Sequence, residues 1–467
     1  MKERKKENLM NVKVKPIHFT SSSRFAFKMY TRYLLLDKNN KTEKQKYGQW
    51  LTDNILELGP VYTKLGQFAS SRPDFFDKDI IKPLESLQDS LPVEDFTQLI
   101  TSEIGTKITD LEKVPIGRAS IAQVYKATSK RTNKKIAIKV QRPNMKKIFD
   151  RDLKNIEIIL VIFKILRVSG TENLSELLRE CRPVLYKEID FKSERQNADR
   201  FKKSLEMFDW IQVPKVYYAS DNLIVSEYIQ GTKITEITKN KKEVTTKLLL
   251  CFLIQILQTG LVHGDVQPGN ISVSSEGNLI WYDFGVVSDI THIRHHFWDI
   301  GQVLLVGDID DILDILEKME VMTPTAKRSK LKKSIIHYIE YIKTMDLKKL
   351  KNSVQNGTFK ELETMLKLDA TYIYLFRSFT MVEGICKSLD PNFNYMNYYE
   401  SIKTMIPGVE MIFSSIRNMS VSQRNLRTVK SIVDESLEEN QSTQKNMKLI
   451  LILVVVQSIG LLTFMIN

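Results

Sequence analysis

The densest chemistry in the chain lies between His263 and Gly285. The run HGDVQPGN (His263 to Asn270) is followed by WYDFG, which puts Asp283 13 residues after Asn270. A phosphoryl-transfer centre needs a carboxylate beside the acceptor. It also needs an amide oxygen and a second carboxylate to hold Mg²⁺ on the phosphates. Asp265 and Asn270, five residues apart on a tight Pro268-Gly269 loop, supply the first two. A short β-hairpin can return Asp283 to the side of Asn270. DFG alone is a weak signal, but HxDxxxxN followed by DFG at hairpin distance is a strong one.

Upstream, Lys139 closes the apolar strand IAIK, the form expected of a lysine that reaches the α- and β-phosphates of ATP. Val124, 15 residues earlier, is placed to pack on an adenine ring. The loop before it reads Gly117-x-Ala119-Ser120-x-Ala122-x-Val124, with alanine at two of the three expected glycine positions. Their methyl groups hinder close approach of that backbone to phosphate. Lys139 needs an acidic partner on a helix, and KEIDFKSERQNADRF offers Glu188, Asp190 and Glu194. On one continuous helix Glu188 and Glu194 would lie one and a half turns apart and share a face poorly, so the residues alone do not choose between them. Glu227 to Ile229, after the strand LIVSE, is the expected hinge at the adenine edge.

These residues must be positioned by a mixed scaffold. Helical periodicity with prolines at 60, 73, 83 and 92 predicts short helices before about residue 112. A loop and a β-hairpin follow (IAQVYKATSK, RTNKK, IAIKVQR), then helices over 146–168 and 174–208. VPKVYYAS and LIVSEYI read as strands, and helices dominate from Lys242 onward apart from NISVS and LIWYDFG. The expected domains are a flexible basic arm (1–25), a helical N-terminal extension (26–112), a small lobe (113–230), a helical lobe (231–415), a polar helical linker (416–447) and a tail (448–467). The fold class is α+β, with two lobes and a cleft between them.

Lys and Arg number 69 against 56 Asp and Glu, a formal charge of +13, which favours an anionic partner such as a nucleotide or a phospholipid surface. No basic stripe interleaved with stacking aromatics is visible, so nucleic acid is not expected. Cys181, Cys251 and Cys386 are far apart without a CxxC, which predicts neither disulfides nor a zinc site. His292, His295 and His296 cluster after the DFG, without neighbouring ligands at metal spacing. Phe25, Phe27, Tyr30, Tyr33 and Leu34 form a stripe that is either a core face or an interfacial helix lying on a membrane.

The basic start of the chain lacks the apolar core of a secretory signal. From Leu449 to Asn467 there is no charge, and 19 residues span roughly 28 Å as a helix, near the thickness of a bilayer core. This predicts a single-pass C-terminal transmembrane tail, with Lys445 and Lys448 setting the body on the cytoplasmic side of the cell membrane.

Taken together, these motifs resemble the UbiB/AarF/ADCK group of atypical, protein-kinase-like ATPases, over about Leu56 to Asn394. KLGQ (Lys64, Gly66, Gln67) is similar to the group's KxGQ signature on an extension folded over the cleft. RASIAQVYKA is similar to its alanine-rich nucleotide loop, and EGICKSLDPNFN to a late element. Glu188 and Asp190 stand in its ExD segment, and the resemblance names Glu194 as the partner of Lys139. Gln267 stands where the group has a histidine. The resemblance implies a bilobal protein-kinase-like fold that binds ATP and Mg²⁺, with Lys64 reaching the ExD carboxylates and obstructing protein substrates. It also implies work at membranes on isoprenoid quinone or other lipid metabolism. A non-catalytic, ATP-gated scaffold for membrane lipid enzymes and a small-molecule kinase are the alternatives.

Overall fold

The computed structural model describes residues 19–70, 76–88, 94–118, 121–297, 309–323, 326–333, 335, 370–393 and 398. The α-helices of eight or more residues are α1 (Phe19–Leu34), α2 (Lys41–Leu58), α3 (Pro60–Ser70), α4 (Thr97–Ile104), α5 (Met145–Ile165), α6 (Thr171–Glu188), α7 (Phe191–Ser204), α8 (Lys241–Leu253), α9 (Ile309–Lys318) and α10 (Ala370–Leu389). The strands that place the site are β1 (Ile108–Thr109), β2 (Gly117–Arg118), β3 (Ala122–Ser129), β4 (Lys135–Gln141), β5 (Ile211–Gln212), β6 (Val216–Ala219), β7 (Leu223–Glu227), β8 (Thr232–Lys233), β9 (Leu261–His263), β10 (Ile271–Val273), β11 (Leu279–Trp281) and β12 (Val287–Asp289).

The first sheet runs β1-β3-β4-β7-β6, with β2 added on β3. Alternation in KIAIKVQ turns Ile136, Ile138 and Val140 into a small core with Tyr125, Leu223 and the α4 residues Ile100 and Ile104. Lys139 therefore faces the other way. Val124, Lys139 and Ile224 are directly opposite one another across the three central strands, so they share that second face.

The second sheet, β5-β11-β10-β8, contains the β10–β11 hairpin, in register Ile271↔Trp281. Its turn needs Gly277, at φ 80°. Beneath it α8 is buried from Val244 to Leu253, and Phe252 meets Phe379 of α10 at 5.9 Å. In the extension Pro60 opens α3, where its missing N–H costs nothing. A second core joins α1–α3 to α5, α6 and α8.

Three sequence expectations are corrected. Helix α1 begins at Phe19, so Thr20–Ser23, read as part of a flexible arm, is helical. Ser22 is buried and accepts a 2.6 Å hydrogen bond from Tyr62. The single helix expected over 174–208 is two, because Asp190 accepts from the backbone N–H groups of Lys192 and Ser193 and starts α7 as an N-cap. The aromatic stripe is split: Phe25 stacks on Trp50 and Tyr33 meets Tyr47, whereas Phe27 and Leu34 are exposed.

No helix among the described residues is long and apolar enough to cross a membrane. The linker 416–447 and the apolar run to Asn467 lie outside the described residues, as do residues 1–18.

Candidate active site

The centre of the cleft is a lysine shared by two carboxylates. Strand β4 holds Lys139, whose Nζ lies 2.8 and 3.0 Å from the two oxygens of Glu194 on α7 and 3.0 Å from Asp283 Oδ2. The Glu194 side chain is 5% exposed, and that of Asp283 is 34% exposed toward the cleft. Burial pushes Glu194 up to about 7, with Lys139 opposing. Burial acts in the same sense on Asp283, but Lys139 and the Gly285 N–H outweigh it and bring that carboxyl down to about 2. Lys139 itself is raised: its two carboxylates overcome a burial that alone would lower it.

Asp283 arrives where hairpin geometry should put it. The ladder of β10 and β11 continues as Tyr282 N–H donates to Asn270 C=O at 2.9 Å. Asp283 has φ 57°, a left-handed conformation that a non-glycine residue adopts only under constraint. The constraint is visible on both sides: Gly285 N–H donates to Asp283 Oδ1 at 3.2 Å, and Asn197 of α7 donates to the Phe284 carbonyl at 2.9 Å. Phe284 is buried against Phe201 and His263, with ring centroids at 5.2 and 5.4 Å.

The loop after β9 holds Asp265. Asn270 donates to its backbone carbonyl at 2.9 Å and to its Oδ2 at 3.1 Å, and Gln267 donates to the same Oδ2 at 2.9 Å. Gln267 thus steers the carboxylate from the position where the resembling group carries histidine. Gly264 admits no side chain, since a Cβ there would come within 2.5 Å of Val286.

Lys64 of α3 enters the same space and pairs with Glu188 at 2.6 Å. Burial would lower its pKa, but Glu188, then Asp265 and Asp283, raise it on balance. Of the two ExD carboxylates the structure brings only Glu188 to Lys64; Asp190 is exposed and its Oδ1 accepts both cap hydrogen bonds of α7. Gly66 and Gln67 are braces. A Cβ on Gly66 would come within 2.6 Å of Leu87, and Gln67 donates to the Leu87 carbonyl at 2.9 Å.

The expected nucleotide-facing residues are partly placed. Gly117 pairs with Val124, which lies opposite Lys139, and Ala122 is fully buried beside Gln141. Ala119 and Ser120 lie outside the described residues. At the hinge, Glu227 N–H is taken by Lys215 C=O, and the Tyr282 hydroxyl donates to Ile229 C=O at 3.2 Å.

Two contributors escaped the sequence reading. His263, counted only as the start of a motif, is buried with Nε2 3.0 Å from Tyr282 C=O. Burial lowers its pKa, so it braces the loop as a neutral ring. Arg142 is buried in an ion pair with Glu94, 48 residues away, which no local spacing could signal. The rings of His295 and His296 meet at 3.9 Å, tilted by 42°, and burial pushes His296 down to about 4. Among the described residues no cluster of three or more His, Cys, Asp or Glu is arranged to hold a metal ion, and the three cysteines are buried and form no disulfide.

A profile of the ABC1 atypical kinase-like domain matches residues 84–316. The Arabidopsis thaliana protein Activity of bc1 complex kinase 7, chloroplastic, is 30% identical over 379 residues, covering 77% of this chain and 54% of its own length. A putative ABC transporter of Paramecium bursaria Chlorella virus 1 is 30% identical over 399 residues, covering 83% of this chain and 84% of its own. The probable protein kinase UbiB of Vibrio vulnificus is 32% identical over 273 residues, 54% of this chain and 50% of that one. The chain thus spans about half the length of the Arabidopsis and Vibrio relatives. Among solved structures, Rv3197 of Mycobacterium tuberculosis in complex with erythromycin has a similar fold. The TM-score is 0.51 at 21% identity, covering 70% of this chain and 87% of that one.

Proposed function

The chain belongs to the ABC1 atypical kinase-like family, and on that premise we propose that it is a membrane-associated Mg-ATP-dependent phosphotransferase or ATPase. Its acceptor would be water or a small or lipid-like hydroxyl, in support of isoprenoid quinone or membrane lipid metabolism. The observation that carries this reading is Lys139 held simultaneously by Glu194 and Asp283, with the Asp265–Asn270 loop one hairpin away.

The residues present fit the implied cofactors. Lys64 and Lys139 face Glu188, Glu194, Asp265 and Asp283, and two ammonium groups against four carboxylates leave a formal charge of −2, which a divalent cation would offset. Bound Mg-ATP would supply the transferable phosphoryl group and the divalent charge that screens its oxygens. Asn270 and Asp283 are the residues to hold the ion, and Lys139, kept in place by Glu194, the one to orient the α- and β-phosphates. Asp265, steered by Gln267 and Asn270, would position the acceptor and accept its proton. Val124 and Ile224 would cover the adenine, with Glu227 and Ile229 at its edge. The apolar run Leu449 to Asn467 supports anchoring in the cell membrane, with the catalytic body in the cytoplasm.

The test is Mg²⁺-dependent phosphate release from ATP by the full chain reconstituted in vesicles, beside Asp283→Asn. Turnover lost by about 10²-fold or more in the variant supports the reading. Tight ATP binding without turnover above that of Asp283→Asn would sink it and leave a nucleotide-gated scaffold.

A further inference from the structure

Among the described residues the exposed apolar side chains are concentrated in one region. Of the large hydrophobics that stand exposed there, nine belong to α1, α5 or the residues that directly follow them: Phe19, Phe27, Leu34 and Leu35, and Ile158, Val161, Ile162, Ile165 and Leu166. Ile165 is 75% exposed and Phe27 66%. On α5 they repeat at i, i+3, i+4, i+7 and i+8, opposite the face that buries Phe149, Leu153 and Leu160. A soluble helix places polar residues there, so this stripe calls for a partner. The two helices meet where Tyr30 touches Phe163 at 5.9 Å. Ile162 and Leu166 lie beside Phe163 on α5, and Phe27 and Leu34 share a face of α1 with Tyr30.

Charge identifies the occupant. Lys147 and Lys154 continue the outward stripe of α5 toward its N-terminus, and Lys164 and Arg167 flank its tip, all exposed. The acids of the helix are turned elsewhere: Asp150 accepts from Tyr186, Glu157 pairs with Arg182, and Asp152 is buried. On α1, Arg24, Lys28 and Arg32 are exposed. Residues 1–18, which lead directly into α1, carry six Lys or Arg against two Glu. An apolar tip with a basic collar matches the boundary between acyl chains and anionic headgroups.

We propose that the α1–α5 ridge is a membrane-docking surface that inserts Phe27, Leu34, Val161, Ile162, Ile165 and Leu166 into an anionic lipid leaflet. This rests on the membrane reading of the function and adds a contact that holds the kinase-like body against the bilayer, independently of any tail. A body so held presents its cleft to acceptors dissolved in the membrane.

The three native cysteines are buried, so Ile165→Cys or Phe27→Cys can be labelled with an environment-sensitive fluorophore on the full chain. Val114→Cys, at an exposed apolar position away from the ridge, serves as the control. The labelled chains are reconstituted with phosphatidylcholine vesicles, with or without phosphatidylserine, that carry brominated acyl chains. The expected result is about twofold or greater quenching of the ridge labels by the bromolipids. The effect should be stronger with phosphatidylserine and weakened by salt, with the Val114 label unquenched.

Protein that floats with the vesicles while its ridge labels stay unquenched overturns the docking surface and leaves the membrane reading standing. Protein that floats with neither vesicle overturns both. A blue-shifted ridge label without lipid also overturns the proposal. It assigns the ridge to a second copy if the shift depends on protein concentration, and to another segment of this chain if it does not.

Discussion

Lys139→Met removes the ammonium that two carboxylates share, 2.8 Å from Glu194 and 3.0 Å from Asp283. Deleting one partner of a buried ion pair ordinarily costs about 3–5 kcal/mol, because a charge is left without a counter-ion. Here the cost should be smaller near neutral pH and should grow as pH rises. Burial already lifts Glu194 to about 7 against the pull of Lys139. Without the lysine its pKa climbs further, and the carboxyl takes up a proton instead of remaining charged. The unfolded chain releases that proton near the ordinary value of 4.5. Between the two pKa values the folded state therefore holds one more proton than the unfolded state, and stability falls by about 1.4 kcal/mol per pH unit. From about pH 6 to pH 8, Lys139→Met should lose stability, by up to about 3 kcal/mol, relative to Lys139→Met/Glu194→Gln, which has no proton to hold. Urea denaturation of the full chain in mild detergent, followed by tryptophan emission, to which buried Trp281 contributes, measures that gap. Parallel pH dependences in the two variants would refute the reasoning, and so would a loss of the full ion-pair cost at every pH.

Three further outcomes can be checked with single substitutions. Gly48→Ala should destabilise more than Gly66→Ala in thermal unfolding. The added Cβ meets the Ile80 backbone oxygen at 2.1 Å in the first case and the movable end of Leu87 at 2.6 Å in the second; about 1–3 kcal/mol is expected for Gly66. Lys64→Met should tighten Mg²⁺ in the presence of ATP by about tenfold, read from a Mg²⁺ titration of nucleotide binding, because a cation facing Asp265 and Asp283 is removed; unchanged affinity would mean that Lys64 does not compete for the metal site. Tyr282→Phe should cost about 1 kcal/mol by removing the hydroxyl that ties the Ile229 carbonyl to the DFG strand, and it should weaken ATP binding through the hinge, measured by calorimetry.

What was legible in the sequence is what is written at short range. Asp265, Asn270 and Asp283 sit within 19 residues of one another and are joined by one hairpin, so spacing alone brought them together. Lys139 stands out because it closes the apolar strand IAIK. Periodicity makes the acidic segment one helix and leaves the partner of Lys139 open, so only the family resemblance assigns Glu194 to Lys139 and the ExD carboxylates to Lys64. The break at Ile189 and Asp190 turns Glu188 toward Lys64 and Glu194 toward Lys139, while Asp190 serves as a cap. Periodicity cannot show a break made by a side chain bonding its own backbone. Nor can it show that a five-residue aromatic stripe is divided between core and solvent, because that depends on where α5 and Trp50 sit in space.

The charge balance of the cleft depends on an element outside the matched kinase-like domain. Lys64 lies on α3, before residue 84 where the profile match begins, yet it supplies one of the two ammonium groups that face four carboxylates. Without it the formal charge would be −3, and the cleft would attract a divalent cation more strongly while repelling the phosphates of a nucleotide more strongly. The extension is therefore part of the electrostatics of the site as well as a cover over it. Its position is fixed by tight packing, since Gly48 seats against the Ile80 backbone and Gly66 against the Leu87 side chain, and Gln67 ties α3 to the Leu87 carbonyl. A small rotation of α3 would move Lys64 away from Glu188 and change the net charge that a nucleotide meets, so opening of the extension and affinity for Mg-ATP should be linked, each shifting the other by the same factor.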